Sequence, residues 1–241
     1  TEARETLRAC PPGMRDFEWW YLDGLFRTPA LRLHGAGYSF AFTGDGTRIV
    51  TAGGNQPAVL VWDAKSGNGL LRLRSPDVDE DWTQCVDIAP DGLTLVSGSG
   101  SDGALRLWNA IDGTFLRTVG RHKRDVLQVH FVGDGSRILS VGRDECLTLW
   151  ETATGTQLQT IRLHPRRIRA VAISPVDSRG VVSTVHGGDA QVSVWDYETG
   201  EKIEDLPSNV AVATGLAFSP DGRLLAAAQP RNALQIWETH P

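Results

Sequence analysis

The chain has 241 residues, a formal net charge of −5, 41% hydrophobic residues and 26 glycines. Those values suit a globular protein with a substantial core and exclude a disordered chain. The acidic balance also excludes a nucleic-acid wrapper, which needs a basic footprint, so any role for charge must be local.

Residues 1–30 differ in kind from the rest. Glu2–Ala9 favours helix, Pro11 and Pro12 interrupt it, and Met14–Phe26 favours helix again, which predicts a short helical leader. From Leu31 onward the chain becomes a series of short alternating runs. Five tryptophans set the period: Trp62, Trp108, Trp150, Trp195 and Trp237, spaced by 46, 42, 45 and 42 residues. Each ends a run in which apolar and other residues alternate: Val59–Trp62, Leu105–Trp108, Leu147–Trp150, Val192–Trp195 and Leu234–Trp237. A period of two marks a strand with one strongly buried face.

Hairpin signals sit upstream of most of these runs. Asp45-Gly46, Asp91-Gly92, Asp134-Gly135 and Asp221-Gly222 each separate two apolar stretches, and glycine supplies the positive φ that such a turn needs. The fourth unit departs, with Ser174-Pro175-Val176-Asp177-Ser178 and no glycine. A further turn follows each tryptophan, and then an outer strand such as Leu116–Val119 or Leu158–Ile161. The prediction is an all-β domain over 31–241 after a leader over 1–30. Its units cover about 31–67, 68–113, 114–155, 156–200 and 201–239, with four strands each. One such sheet cannot bury both of its faces alone, and radial stacking solves that problem.

These residues resemble the WD-repeat family of β-propellers across five consecutive units. The resemblance implies a hydrogen-bonded tetrad in each blade, made of a loop histidine, a strand serine or threonine, a turn aspartate and the tryptophan. The third unit carries His122, Ser140, Asp144 and Trp150. The fourth carries His164, Asp189 and Trp195. The second keeps Asp102 and Trp108, with Asp79 where the histidine belongs, and the first and fifth place Gln56 and Arg231 at the aspartate position. The fixed offset of these aspartates from their tryptophans makes them struts rather than metal ligands or acid–base groups. The family most often closes with seven blades, so five units imply an open arc of a larger propeller rather than a tight ring. In the leader, Arg15, Glu18, Trp19, Tyr21 and Leu22 resemble the segment before the WD repeats of planctomycete-type bacterial serine/threonine kinases. An amphipathic helix capping the repeats is the simpler alternative.

Several chemical leads fail on context. Gly98-Ser99-Gly100-Ser101-Asp102-Gly103 has dinucleotide-loop spacing but leads into a strand, where a phosphate site needs a helix. Asp77–Asp81 resembles the start of a calcium loop, but Trp82 and Ile88 stand where glycine and a bidentate glutamate are required. No cofactor or metal is expected. Cys10, Cys85 and Cys146 are odd in number and lack C-x-x-C spacing, so they read as reduced structural thiols. No apolar run reaches the length of a membrane span and no secretory core is present, and the expected setting is cytoplasmic.

Stacking makes equivalent loops neighbours. Lys123 and Arg124 in unit three, Arg166 and Arg167 in unit four, and Arg143 beside Asp144 should share one rim. Asp77, Asp79, Glu80, Asp81 and Trp82 should lie next to them. Arginine clusters suit carboxylate or phosphate recognition. The expected role is a non-catalytic protein-interaction scaffold, the docking or sensing region of a larger bacterial signalling protein. Its partner would be an acidic or phosphorylated protein segment. The alternatives are a solvated rim whose two halves pair with each other, a fragment of a kinase polypeptide, and a propeller hydrolase with a central-channel site.

Overall fold

The computed structural model describes residues 39–53, 58–76, 82–163, 167–186, 189–207, 215–229 and 233–239, with the single residues 33, 37, 78 and 213. The chain divides into Thr1–His34 and Gly35–Pro241. The helical leader expected over 1–30, including Arg15, Glu18, Trp19, Tyr21 and Leu22, lies outside the described residues.

Within Gly35–Pro241 every described regular element is a strand. Sheet 1 contains β1 (Ser39–Phe42), β2 (Arg48–Ala52), β3 (Val59–Asp63) and β4 (Gly69–Leu73). Sheet 2 contains β5 (Thr83–Ile88), β6 (Thr94–Ser99), β7 (Ala104–Asn109) and β8 (Phe115–Arg121). Sheet 3 contains β9 (Val126–Val132), β10 (Arg137–Gly142), β11 (Cys146–Glu151) and β12 (Gln157–Arg162). Sheet 4 contains β13 (Arg167–Ile173), β14 (Arg179–His186), β15 (Asp189–Asp196) and β16 (Lys202–Leu206). Sheet 5 contains β17 (Gly215–Phe218), β18 (Leu224–Gln229) and β19 (Ala233–Glu238). Each sheet is an antiparallel meander in chain order. Gly46, Gly92, Gly135 and Gly222 all take the positive φ that their Asp-Gly turns demand.

Sheet 5 has three described strands. Of Leu31-Arg32-Leu33 only Leu33 is described, outside any strand. One expectation is corrected: β7 is not buried on one face alone. In β7, Ala104 to Trp108 are all buried, because sheets stack on both sides and the positions expected to face outward meet the next sheet.

Four apolar seams join successive sheets. Val50 and Val61 pack with Ile88, Leu95 and Trp108. Leu105 and Leu107 pack with Val129, Ile138 and Trp150. Leu139 and Leu149 pack with Val171 and Tyr197, and Val192 and Val194 with Leu225 and Ala227. Each fully buried aliphatic side chain contributes about 1.5–3 kcal/mol. Among the described residues no apolar seam joins sheet 5 to sheet 1, and Phe40, Phe42, Leu234 and Ile236 are exposed.

Polar ties follow the seams. The Ser39 hydroxyl accepts the N–H of Val86 at 3.1 Å. The Cys85 thiol donates to the carbonyl of Val126 at 3.7 Å, and Asp87 accepts the N–H of Phe131 at 2.8 Å. These side chains occupy edge groups of the inner strand in the following sheet, which would otherwise be an unpaired template. Farther out, Arg48 donates to the carbonyl of Ala110, Arg117 to Thr152, Gln159 to Thr199 and Arg179 to Gly222.

Candidate interaction rim

The loop between β8 and β9 is shaped by a buried polar chain in sheet 3. Ser140 on β10 is opposite Thr148 on β11, two residues before Trp150, so its hydroxyl faces the indole. The Trp150 N–H donates to Ser140 at 2.7 Å. Ser140 meets His122 Nε2 at 2.7 Å, and His122 Nδ1 meets Asp144 at 2.9 Å. One neutral tautomer satisfies every group: Nδ1–H donates to the carboxylate and Nε2 accepts the serine proton. Burial holds the His122 imidazole below its usual pKa, partly offset by the Asp144 charge. Gly142 is required here, because a Cβ would stand 2.4 Å from both Asp144 Oδ1 and His122 Nδ1.

The same carboxylate builds the rim. Asp144 Oδ2 accepts the N–H of Lys123 at 2.9 Å, and the N–H of Arg143 donates to the carbonyl of Asp125 at 2.8 Å. The strut therefore fixes the backbone from which Lys123 and Arg124 project into solvent.

The tryptophan–hydroxyl pair recurs beyond what the sequence reading assigned. Trp108 donates to Ser97 at 2.8 Å and Trp62 to Thr51 at 2.9 Å. In sheet 4 the corresponding residue opposite Ser193 is Val182, and Trp195 Nε1 is buried with no partner among the described residues. In sheet 5 that place is held by Ala227, and Trp237 turns to the carbonyl of Pro207 at 3.3 Å. His164 lies outside the described residues, as does the side chain of Asp189 at the start of β15. Sheet 2 replaces the histidine differently. Asp102 is bound by Arg106, which is fully buried, at 2.7 Å, and also by Arg121. Burial alone would raise the Asp102 carboxyl, but bonds from Arg106, Ser99 and Arg121 outweigh it and hold the group well below the usual carboxylate range.

The arginines expected on one rim divide. Arg124, Arg143 and Arg169 line one recess of about 370 Å³ with Leu127, Gly142, Glu145 and Ile168. Arg143 Nε lies 3.3 Å from Asp125, while Arg124 and Arg169 have no ion pair among the described residues. Lys123 is exposed near them. Arg166 and the side chain of Arg167 lie outside the described residues, as do Asp77, Asp79, Glu80 and Asp81. Trp82 is described and is 64% exposed. Arg169, two residues beyond Arg167 on the same edge strand, joins the site although it was not singled out.

Asp87 and His130 were also missed. They hold the same repeat position, one residue before Ile88 and Phe131, and stacking brings Asp87 Oδ2 to 3.9 Å from His130 Nδ1. Comparing equivalent positions in neighbouring units would have revealed them.

The model of the family "WD domain, G-beta repeat" matches residues 77–109, 113–151 and 155–196. These three segments carry WD40 repeats. The stacked antiparallel sheets are the blades of a WD β-propeller, sheets 1 to 5 being blades 1 to 5. The chain is 27% identical to "Periodic tryptophan protein 2" of Arabidopsis thaliana over 75% of its length, spanning 19% of that protein. It is 24% identical to the "Serine-threonine kinase receptor-associated protein" of Mus musculus over 85% of its length, spanning 67% of that protein. It is 32% identical to "Cilia- and flagella-associated protein 52" of Chlamydomonas reinhardtii over 51% of its length, spanning 19%. These WD-repeat relatives are eukaryotic and lend nothing to the bacterial kinase resemblance of the leader.

Proposed function

We propose that this chain is a protein-interaction scaffold, with the rim of blades 3 and 4 taking an acidic or phosphorylated segment of a partner protein. The observation that carries the reading is the recess where Arg124, Arg143 and Arg169 converge. Two of those cations have no internal counter-ion among the described residues. A partner carboxylate or phosphate would supply one, and the guanidinium fork binds both of its oxygens. Loops on a rigid scaffold are where such contacts concentrate, and the His122–Asp144 strut keeps this loop in place.

The reading extends to the parent molecule. The chain spans about a fifth of two of its relatives, which supports a docking region inside a larger signalling polypeptide. The free thiols of Cys85 and Cys146 support a reducing, cytoplasmic setting. The test is a pull-down with the full chain carrying Arg124→Glu, Arg143→Glu and Arg169→Glu together. Loss of native partners and of a phosphoserine-peptide probe is expected. Capture equal to that of the unmodified chain, with the variant folded by circular dichroism, would sink the proposal.

A further inference from the structure

A second recess, of about 560 Å³, lies against the inner strands of blades 1 to 3 and shares only Leu127 with the arginine rim. Its chemistry is the opposite. The lining includes Phe40, Trp82, Asp87, Gln128 and His130, and no lysine or arginine among the described residues. Phe40 and Trp82 are two of the most exposed aromatic residues among those described, at 67% and 64%. Large apolar groups left in solvent around a recess mark binding surface rather than core.

Two further observations say what the recess lacks. Gln128 Oε1 is buried and has no hydrogen-bond donor among the described residues. A buried acceptor of that kind is costly unless something donates to it. Asp87 accepts the N–H groups of Ile88 and Phe131, but its nearest charged partner is His130 at 3.9 Å. Burial pushes the Asp87 carboxyl up and the His130 imidazole down, and no lysine or arginine among the described residues pairs with Asp87. An unsatisfied amide acceptor, a carboxylate without a full counter-cation and two exposed rings call for one group: a planar cation rich in donors.

We propose that this recess binds an arginine side chain of a partner protein, with the guanidinium donating to Asp87 and Gln128 and stacking on Trp82 or Phe40. Guanidinium fits better than ammonium, because it presents five donors in a plane, stacks on aromatic faces and is weakly hydrated. The site is independent of the anion-binding rim. Because Leu127 borders both recesses, one partner segment carrying an acidic residue and an arginine could occupy the two together.

Calorimetric titration of the full chain with acetyl-Gly-Gly-Arg-Gly-Gly-amide tests this against the lysine and citrulline versions. Saturable binding is expected, with arginine roughly tenfold tighter than citrulline and tighter than lysine. Trp82→Ala should weaken it several-fold with the melting temperature unchanged, since Trp82 is exposed. Gln128→Leu should also weaken it, yet leave the melting temperature unchanged or raised, because it removes a buried acceptor that has no donor. The loss of affinity together with the thermal result separates a ligand contact from a structural role. Absence of saturation, citrulline binding as tightly as arginine, or lysine doing so would each overturn the assignment. So would affinity left unchanged by both substitutions. The triple rim reversal at Arg124, Arg143 and Arg169 should leave arginine-peptide binding intact, so the two sites can fail separately.

Discussion

Ser140→Ala isolates the strut that holds the rim. The hydroxyl is fully buried and serves two groups, the Trp150 N–H and His122 Nε2. Alanine fits the space but leaves both without a partner. Each orphaned buried polar group costs about 1–3 kcal/mol, so the loss should be about 2–6 kcal/mol. That is a large share of the roughly 5–15 kcal/mol that holds a typical domain. Blade 4 offers the reverse experiment. Trp195 Nε1 has no partner among the described residues, and Val182 stands at the register position that Thr51 holds in blade 1. Val182→Thr should return a bond to the indole and stabilise by about 1 kcal/mol. Urea titration followed by tryptophan fluorescence and far-ultraviolet circular dichroism measures both. If Ser140→Ala moves the midpoint no further than Ser136→Ala at an exposed turn, with equal slope, the tetrad carries no stability and the reasoning fails.

His122 has a folded-state pKa lowered by burial, so the unfolded chain binds its proton more readily. The associated stability is present above the unfolded value near 6.5 and is lost as pH falls below it, by up to about 1.4 kcal/mol per pH unit. His122→Gln should flatten the slope of urea midpoint against pH between 6.5 and 5; an unchanged slope would assign the effect elsewhere. Arg106→Met should cost about 3 kcal/mol, because Asp102 then loses the buried member of its pair while Arg121 remains. A melting curve within a degree of wild type would contradict that role. Gly103→Ala should destabilise blade 3 as well as blade 2. It has φ +70°, and a Cβ would stand 2.4 Å from the carbonyl oxygen of His122 and 2.7 Å from that of Arg124. Hydrogen exchange should rise in the 122–125 loop, and phosphopeptide affinity should fall with it. Protection confined to its normal level in that loop would refute the coupling.

Much of this architecture is legible in the residues because its signals are local. The Asp-Gly turns and the six-residue interval from Asp144 to Trp150 each lie within one hairpin, and the tryptophan period repeats that hairpin along the chain. Partners set by register are harder to read. Trp150 finds Ser140 ten residues back, while Trp108 and Trp62 find Ser97 and Thr51 eleven back, because the hairpin turn differs in length. Arg106 was hidden for another reason. Alternation assigns it an outward position, but the outward side of a blade is the inner side of a seam. The rim was partly legible: Arg124 and Arg143 follow from loop position, whereas Arg169 lies within a strand run and reaches the recess only through stacking. Asp87 and His130 belong to different repeats, and pattern within a single repeat could not join them.

Side chains of Ser39, Arg48, Cys85, Asp87, Arg117, Gln159 and Arg179 each tie a blade to the backbone of the blade after it. A chain made from its amino terminus therefore releases each blade with its ties still empty, to be filled by the blade synthesised next. Blades 1 to 4 are each completed by the blade that follows. Assembly of this kind has a built-in direction. Shortening from the carboxyl terminus should loosen the preceding blade, which loses the backbone its side chains hold. Shortening from the amino terminus instead uncovers the inner edge of the blade that follows.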